Sequence, residues 1–266
     1  MEIYVKLILL LNMSNMDLIN QTLLENIQNS ISEVIPKKKI GIAFSGGVDS
    51  TLVSKICTDM GFDVVLLTIG FSESHDILFS KEVNEHLNYS HHILEIDPET
   101  FPKITLDIHK VIDTDNLSWN ENCIAFHYVS KLAKTLNLDI VITGNGIDEL
   151  FCGYNAYREA FTGGETKILE VMDSKLENEL KMMKAVNVIA SEFDVKILQP
   201  LLSSEFIEYA KTIPISEKIH SPDDLYRKHI IRKLASDVGV PEISCGKRKK
   251  ALQYGSKIHK SLLKTR

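Results

Sequence analysis

The segment Ser45-Gly46-Gly47-Val48-Asp49-Ser50 constrains this chain more than any other, because of what flanks it. Before it, Ile40-Gly41-Ile42-Ala43-Phe44 is short and apolar in the manner of a buried strand, and after it the pattern from Thr51 to Met60 predicts a helix. A strand, a glycine-rich turn and a helix N-terminus in succession make an anion cradle. The first N–H groups of the helix lack partners within it, and the helix dipole adds positive potential at the same place. Gly46 and Gly47 permit close backbone approach, and Ser45 and Ser50 add hydroxyl donors. No Gly-Lys-Ser/Thr follows, so this is not a Walker A loop. Asp49 is instead an acid in a phosphate site, which makes sense if it holds a Mg²⁺ that in turn binds phosphates. The plainer alternative is a tight strand-to-helix turn that happens to be rich in Ser and Gly.

Strand patterns recur at Val64–Ile69, His92–Ile96 and Ile140–Thr143, with helical patterns at Asp76–Leu87, Phe101–Ile112 and Asn122–Leu136 between them. This alternation predicts an α/β fold, a parallel sheet with helices on both faces, preceded by a helix over Asp17–Ile35. From Thr166 the strand pattern fades. A helix over Ile168–Phe193, a short extended piece over Val195–Leu202, and helices over Phe206–Ile213 and Asp223–Val238 form a mainly helical C-terminal portion. The expected organisation is an N-terminal extension and helix (1–36), a nucleotide-binding core (37–165) and a helical portion (166–266) completing the same domain. Ligands of such sheets bind beyond the carboxyl ends of the strands. The glycine-rich segments after Phe44 and after Thr143 should therefore meet at one site.

The second of these, Thr143-Gly144-Asn145-Gly146-Ile147-Asp148-Glu149-Leu150-Phe151-Cys152-Gly153-Tyr154, suits a loop wrapped around a nucleotide and its metal. Asp148 would be the second Mg²⁺ carboxylate opposite Asp49, unless it and Glu149 simply favour a helix N-terminus. A third segment, Arg248-Lys249-Lys250-Ala251-Leu252-Gln253-Tyr254-Gly255-Ser256, is basic in a chain of net charge −6. Most of it reads as a solvated face, but one lysine there could neutralise charge on a reacting phosphate in a dry site.

SGGVDS is similar to the PP-loop of the ATP pyrophosphatases, and the three segments in this order resemble the synthetase domain of asparagine synthetases, which β-lactam synthetases share. The resemblance runs from about Ile40 to about Lys260 and implies an adenine nucleotide α-hydrolase-like, Rossmann-like fold. It implies an ATP-dependent, adenylate-forming amide ligase that activates a carboxylate, aspartate first, as an acyl adenylate with loss of pyrophosphate, for attack by ammonia or an amine. On that resemblance, ATP lies over Ser45, Gly46, Gly47, Val48, Asp49 and Ser50; Thr68, Thr143 and Gly144 line the adenosine pocket; and Asp49 and Asp148 bind Mg²⁺. Lys250, two positions after Arg248, matches the catalytic lysine. Asp76, His91, His92 and Gln199-Pro200-Leu201-Leu202 are smaller echoes.

The chain departs from the family twice. Glu2 stands where the glutamine-using members carry the nucleophilic cysteine of a glutaminase domain, and only some forty residues precede the PP-loop. Ammonia would then come free or from a separate glutaminase subunit. Asn145 stands where the family usually has a glutamate that assists amination; it keeps hydrogen bonding but loses the charge and the basicity. The alternatives are therefore adenylation of another acceptor, a tRNA base or a cofactor precursor, and a nucleotide-binding subunit of an amidotransferase.

Composition bounds the rest. The net acidity speaks against a surface built wholly for nucleic acid, without excluding RNA on the basic tail. Cys57, Cys123, Cys152 and Cys245 form no CxxC pair, which suits a reducing cytoplasm better than a disulfide scaffold or zinc site. The apolar stretch from Ile3 to Leu11 is too short to span a bilayer and lacks a leader's cleavage site, and Met13 and Met16 offer alternative starts. Asp113, Asp115, Trp119 and Asn120 are expected in a polar loop, as acceptor-binding or as turn and capping residues. His91 and His92 lack metal-ligand spacing, and Cys152 reads as packing first and nucleophile second.

Overall fold

The computed structural model describes residues 15–36, 38–246 and 251–265. Its centre is a parallel sheet of five strands, β1 (Lys39–Ala43), β2 (Asp63–Gly70), β3 (Ser90–Glu95), β4 (Ile140–Ile142) and β5 (Lys196–Leu198), in the order β3-β2-β1-β4-β5. In register, Ile42 lies between Leu66 of β2 and Ile142 of β4, and Val141 pairs with Ile197. Seven consecutive residues of β2 and all of β4 are buried, so helices cover both faces and the strands read as continuous apolar runs. Ile42, Leu66 and Ile142 are completely buried. Each contributes roughly 1.5–3 kcal/mol of hydrophobic burial to the core.

The helices that matter for the site are α1 (Asn15–Val34), α2 (Val48–Asp59), α3 (His75–Leu87), α4 (Phe101–Ile112), α5 (Leu117–Thr135), α6 (Ile147–Leu150), α7 (Asn155–Ala160) and α8 (Gly164–Ser191), followed by α9 (Ser204–Thr212) and α10 (His229–Asp237). From β1 the chain runs outward to β2 and β3, then returns to add β4 and β5 on the other side. That reversal opens a crevice at the carboxyl ends of β1 and β4, where the loops ending in Ser50 and Asp148 begin.

Three local expectations change. The extended piece after Val195 is a fifth sheet strand, β5, cut short where Pro200 opens a 3-10 turn over Pro200–Leu202. Helix α5 begins at Leu117 because the Asn116 side chain accepts the Trp119 N–H at 3.2 Å, so Trp119 and Asn120 are helical, not loop residues. The helix expected from Asp223 starts only at His229. The Asp224 carboxylate accepts the N–H groups of His220, Tyr226 and Arg227 and turns the chain instead. The N-terminal apolar stretch and Met13 lie outside the described residues, whereas Met16 falls in the first turn of α1; among the described residues no helix is long and apolar enough to cross a membrane.

Candidate active site

The turn after β1 is shaped by its own hydroxyls. The Ser45 N–H donates to Ser50 Oγ at 3.3 Å, and the Ser50 hydroxyl donates to Gly47 O at 3.2 Å. Gly46 has a φ of +77°, a left-handed conformation that costs a residue with a side chain, and Gly47 immediately precedes the first turn of α2. Asp49 stands in that first turn with its carboxylate toward the cleft. Behind the turn, the buried Ser244 hydroxyl meets the Gly46 carbonyl and lies 3.0 Å from Thr51 Oγ1, tying the loop to the C-terminal portion.

The loop after β4 closes directly over this turn. A Cβ on Gly144 would lie 3.2 Å from the Asp49 carbonyl carbon and Cβ, a contact tight enough that any larger residue would need the two backbones to give by a few tenths of an ångström. The two segments thus form one cleft of about 270 Å³. Asp49 and Asp148 face a common point in it, and that point holds an ammonium group. Lys228 Nζ lies 2.6 Å and 2.9 Å from the Asp49 carboxylate oxygens and 2.7 Å from Asp148 Oδ1. The Lys228 side chain is 2% exposed. Burial pulls its pKa below the usual lysine range, against the opposing pull of Asp49. Arg227 beside it donates from Nη2 to the Gly153 carbonyl at 2.9 Å, clamping the lysine loop onto the end of the second motif.

A second acidic group lies across the cleft. Glu149 is buried with its oxygens on the Gly146 N–H (2.9 Å) and the Tyr154 hydroxyl, where it shapes the loop. Burial, and secondarily Glu179, push its pKa up to about 7. Glu179 reaches the cleft from α8 and accepts a hydrogen bond from Asn145 Nδ2 at 2.5 Å. Burial raises its pKa as well, and the Asn145 contact partly offsets this. Position 145 itself holds an amide, yet a carboxylate stands beside it, delivered by another element.

Of the expected site residues, Ser45, Gly47, Val48, Asp49, Ser50, Thr143, Gly144, Asn145 and Asp148 line the cleft, and Asp76 does so too. Gly46 forms the back of its turn. The Thr68 side chain is not in the wall. Its hydroxyl donates to Phe44 O at 2.7 Å and meets His91 Nε2 at 2.8 Å, while Leu67 and Ile69 on either side of it face the cleft. Lys250 and Arg248 lie outside the described residues; the next three residues, Ala251, Leu252 and Gln253, line the cleft. Helix α5 contributes Ser118 and Asn122, whereas Asn120 bonds to the carbonyls of Thr114 and Asn116, and Trp119 to Asn178. Cys152 is completely buried, and burial pushes its thiol up to about 12, which makes it a packing residue.

Sequence reasoning passed over Lys228, Arg232, Lys175, Asn178 and Glu179, all of which line the cleft. Glu179 alone left a signal. It interrupts the apolar stripe Met172, Leu176, Met183 and Val186, and a charge on a buried stripe needs a partner. Lys228 left none, since its stretch reads as the start of a solvated helix.

The donor set fits a hard dication. Asp49 and Asp148 are two oxygen ligands close enough to share one ammonium, beside N–H groups suited to phosphate, and Mg²⁺ characteristically combines one or two carboxylates with substrate phosphates.

A family model described as asparagine synthase matches residues 23–192, more than half of the chain. A Methanocaldococcus jannaschii protein provisionally named a glutamine-hydrolyzing asparagine synthetase is 27% identical over 260 residues, covering 85% of this chain and 47% of that one. The glutamine-hydrolyzing asparagine synthetase of Asparagus officinalis is 25% identical over 218 residues, covering 78% of this chain and 37% of the relative. The chain thus spans less than half the length of these relatives. Among solved structures, the NMN synthetase of Francisella tularensis is similar with a TM-score of 0.49 at 16% identity, over 91% of this chain and 78% of that one. The family match includes both loops that meet at Lys228, and on it the chain belongs to the asparagine synthase family.

Proposed function

We propose that this chain is an ATP-dependent, adenylate-forming amide ligase that activates a carboxylate, the side chain of aspartate first, and transfers the acyl group to ammonia or an amine. One observation carries the reading: a buried lysine held between two carboxylates, one from each glycine-rich loop, beside a helix N-terminus open to anions. A binding module has no use for so much opposed charge in one cleft, whereas displacement at phosphorus needs it.

In this reading the N–H groups of the Ser45–Ser50 turn and α2 receive the phosphates of ATP. Asp49 and Asp148 would hold Mg²⁺, which when bound supplies charge neutralisation on those phosphates. With a metal on the carboxylates, Lys228 and Arg232 are left to face phosphate oxygens. A substrate carboxylate oxygen attacks the α-phosphorus; the bond to the bridging oxygen breaks and pyrophosphate leaves with the electron pair. The resemblance assigns Lys250 to the charge built up at phosphorus, and its three successors in the cleft wall are consistent with that. Nitrogen then attacks the acyl carbon, and AMP leaves with the C–O electron pair. The proton lost by nitrogen goes to Glu179, whose raised pKa suits it as acceptor and which Asn145 orients.

The test is release of AMP and pyrophosphate from ATP with Mg²⁺, L-aspartate and ammonium, together with chromatographic detection of asparagine. Aspartate-dependent AMP with equimolar asparagine is expected. Cleavage of ATP to ADP, or AMP formation that ignores every carboxylate offered, would overturn the reading. AMP formation dependent on a different acceptor would move the substrate assignment to the cofactor-precursor or tRNA alternative.

A further inference from the structure

Between α9 and α10 the chain makes a small closed loop outside the cleft, pinned at its neck where the Lys228 N–H donates to Lys218 O at 2.6 Å. Within it the Asp224 carboxylate is fixed in direction by three backbone donors, His220 (3.0 Å, to Oδ2), Tyr226 (3.0 Å) and Arg227 (2.9 Å, both to Oδ1). His229, the first residue of α10, brings Nε2 to 2.6 Å from Asp224 Oδ2. The exposed His220 ring lies flat on the His229 ring, with centroids 3.6 Å apart and planes 3° from parallel. One ligand atom from each of the three side chains lies within 4.8 Å of the other two.

Two imidazoles and one carboxylate are the ligand set of a borderline dication such as Zn²⁺, Ni²⁺ or Cu²⁺ and not of Mg²⁺, which prefers oxygen. Two nitrogens in a tetrahedral zinc shell, each about 2.0–2.1 Å from the metal, stand roughly 3.3 Å apart. Because imidazole lone pairs lie in the ring planes, the rings leave their parallel stack and turn by several tens of degrees to meet on one ion, a movement open to His220 because its ring is exposed. The carboxylate needs no search, because the backbone already holds it.

We propose that His220, Asp224 and His229 form a binding site for a transition-metal dication, Zn²⁺ first, on the loop that delivers Lys228. The site does not depend on the ligase reading. It has a structural consequence for the cleft: Arg227 and Lys228 carry φ values of +31° and +57°, which residues with side chains adopt at a cost. An ion bound to residues on both sides of that pair would fix the loop and hold Lys228 toward Asp49 and Asp148.

The test uses the full, tag-free chain stripped with chelator. Zn²⁺ is titrated by calorimetry, and Co²⁺ by visible absorption, into wild type, His220→Ala and Asp49→Asn. His220→Ala removes an exposed ring and leaves the backbone N–H on Asp224, so folding is expected to survive; circular dichroism checks it. The expected result is one Zn²⁺ per chain, a tetrahedral-type Co²⁺ spectrum, affinity lowered about a hundredfold or more in His220→Ala, and binding unchanged in Asp49→Asn. A tenfold excess of Mg²⁺ should not compete. Equal Zn²⁺ affinity in wild type and His220→Ala, loss of binding in Asp49→Asn alone, or equal displacement by Mg²⁺ would overturn the proposal.

Discussion

Lys228 and Glu179 bring opposite charges to the cleft that the two glycine-rich loops form. Lys228 is stable in its burial because two partly exposed carboxylates meet it; without them it would be an unbalanced buried charge. Glu179 places a carboxylate against the side chain of Asn145, a position of the second motif that itself carries an amide. If it takes the proton from the attacking nitrogen, Glu179→Gln leaves carboxylate-dependent pyrophosphate exchange within a few-fold of wild type. Amide formation should fall about 10²–10⁴-fold, the usual worth of a general base. Parallel loss of both half-reactions in steady-state and exchange assays would make Glu179 a packing residue only. Neither side chain was singled out from sequence. Lys228 follows Asp223, Asp224 and Arg227, a run that reads as an exposed helix until the Asp224 turn is seen. Glu179 was legible in principle, as the one charge on the buried stripe of α8.

Among the elements, β1 and α2 build the anion-facing turn, β4 and α6 build the loop that covers it, and α8 and α10 bring Glu179 and Arg232 to the same cleft. The first two pairs were readable because strands buried on both faces produce apolar runs and glycines mark the turns after them. The contributions of α8 and of the loop before α10 were not, because they depend on how distant segments pack. Contact between the first two pairs rests on Gly144. A methyl group there meets the Asp49 backbone at 3.2 Å, so Gly144→Ala should push the loops apart at a cost of about 1–3 kcal/mol. Calorimetry should then show ATP binding weakened by roughly tenfold or more. Unchanged affinity would mean that the loops need not touch for nucleotide to bind.

The molecule as a whole is held by one continuous core that includes both the sheet and the C-terminal helices. That core encloses titratable groups, which ties stability to pH. His91 and His127 are both held down to about 4, chiefly by burial. In the unfolded chain they titrate near 6.5. Between these values the unfolded state binds more protons, so their contribution to stability is present above about pH 6.5 and is lost as pH falls toward 4. Glu149 works the other way, its raised pKa favouring the folded state as pH falls below about 7. Comparison of variants separates the two. His127→Gln, which removes a ring packed edge-on against Phe193, should lower the melting temperature at pH 7 yet lose less than wild type between pH 7 and pH 5. Equal pH slopes by differential scanning fluorimetry would assign the acid sensitivity elsewhere.

The central claim, that Asp49, Asp148 and Lys228 form a site for forming an acyl adenylate, is tested most directly by exchange of labelled pyrophosphate into ATP without any nitrogen donor. Wild type with Mg²⁺ and L-aspartate should catalyse exchange, and Lys228→Met, with native circular dichroism, should lower it by about a hundredfold or more. Exchange undiminished in Lys228→Met, or wild-type ATP cleavage to ADP with no exchange, would contradict it.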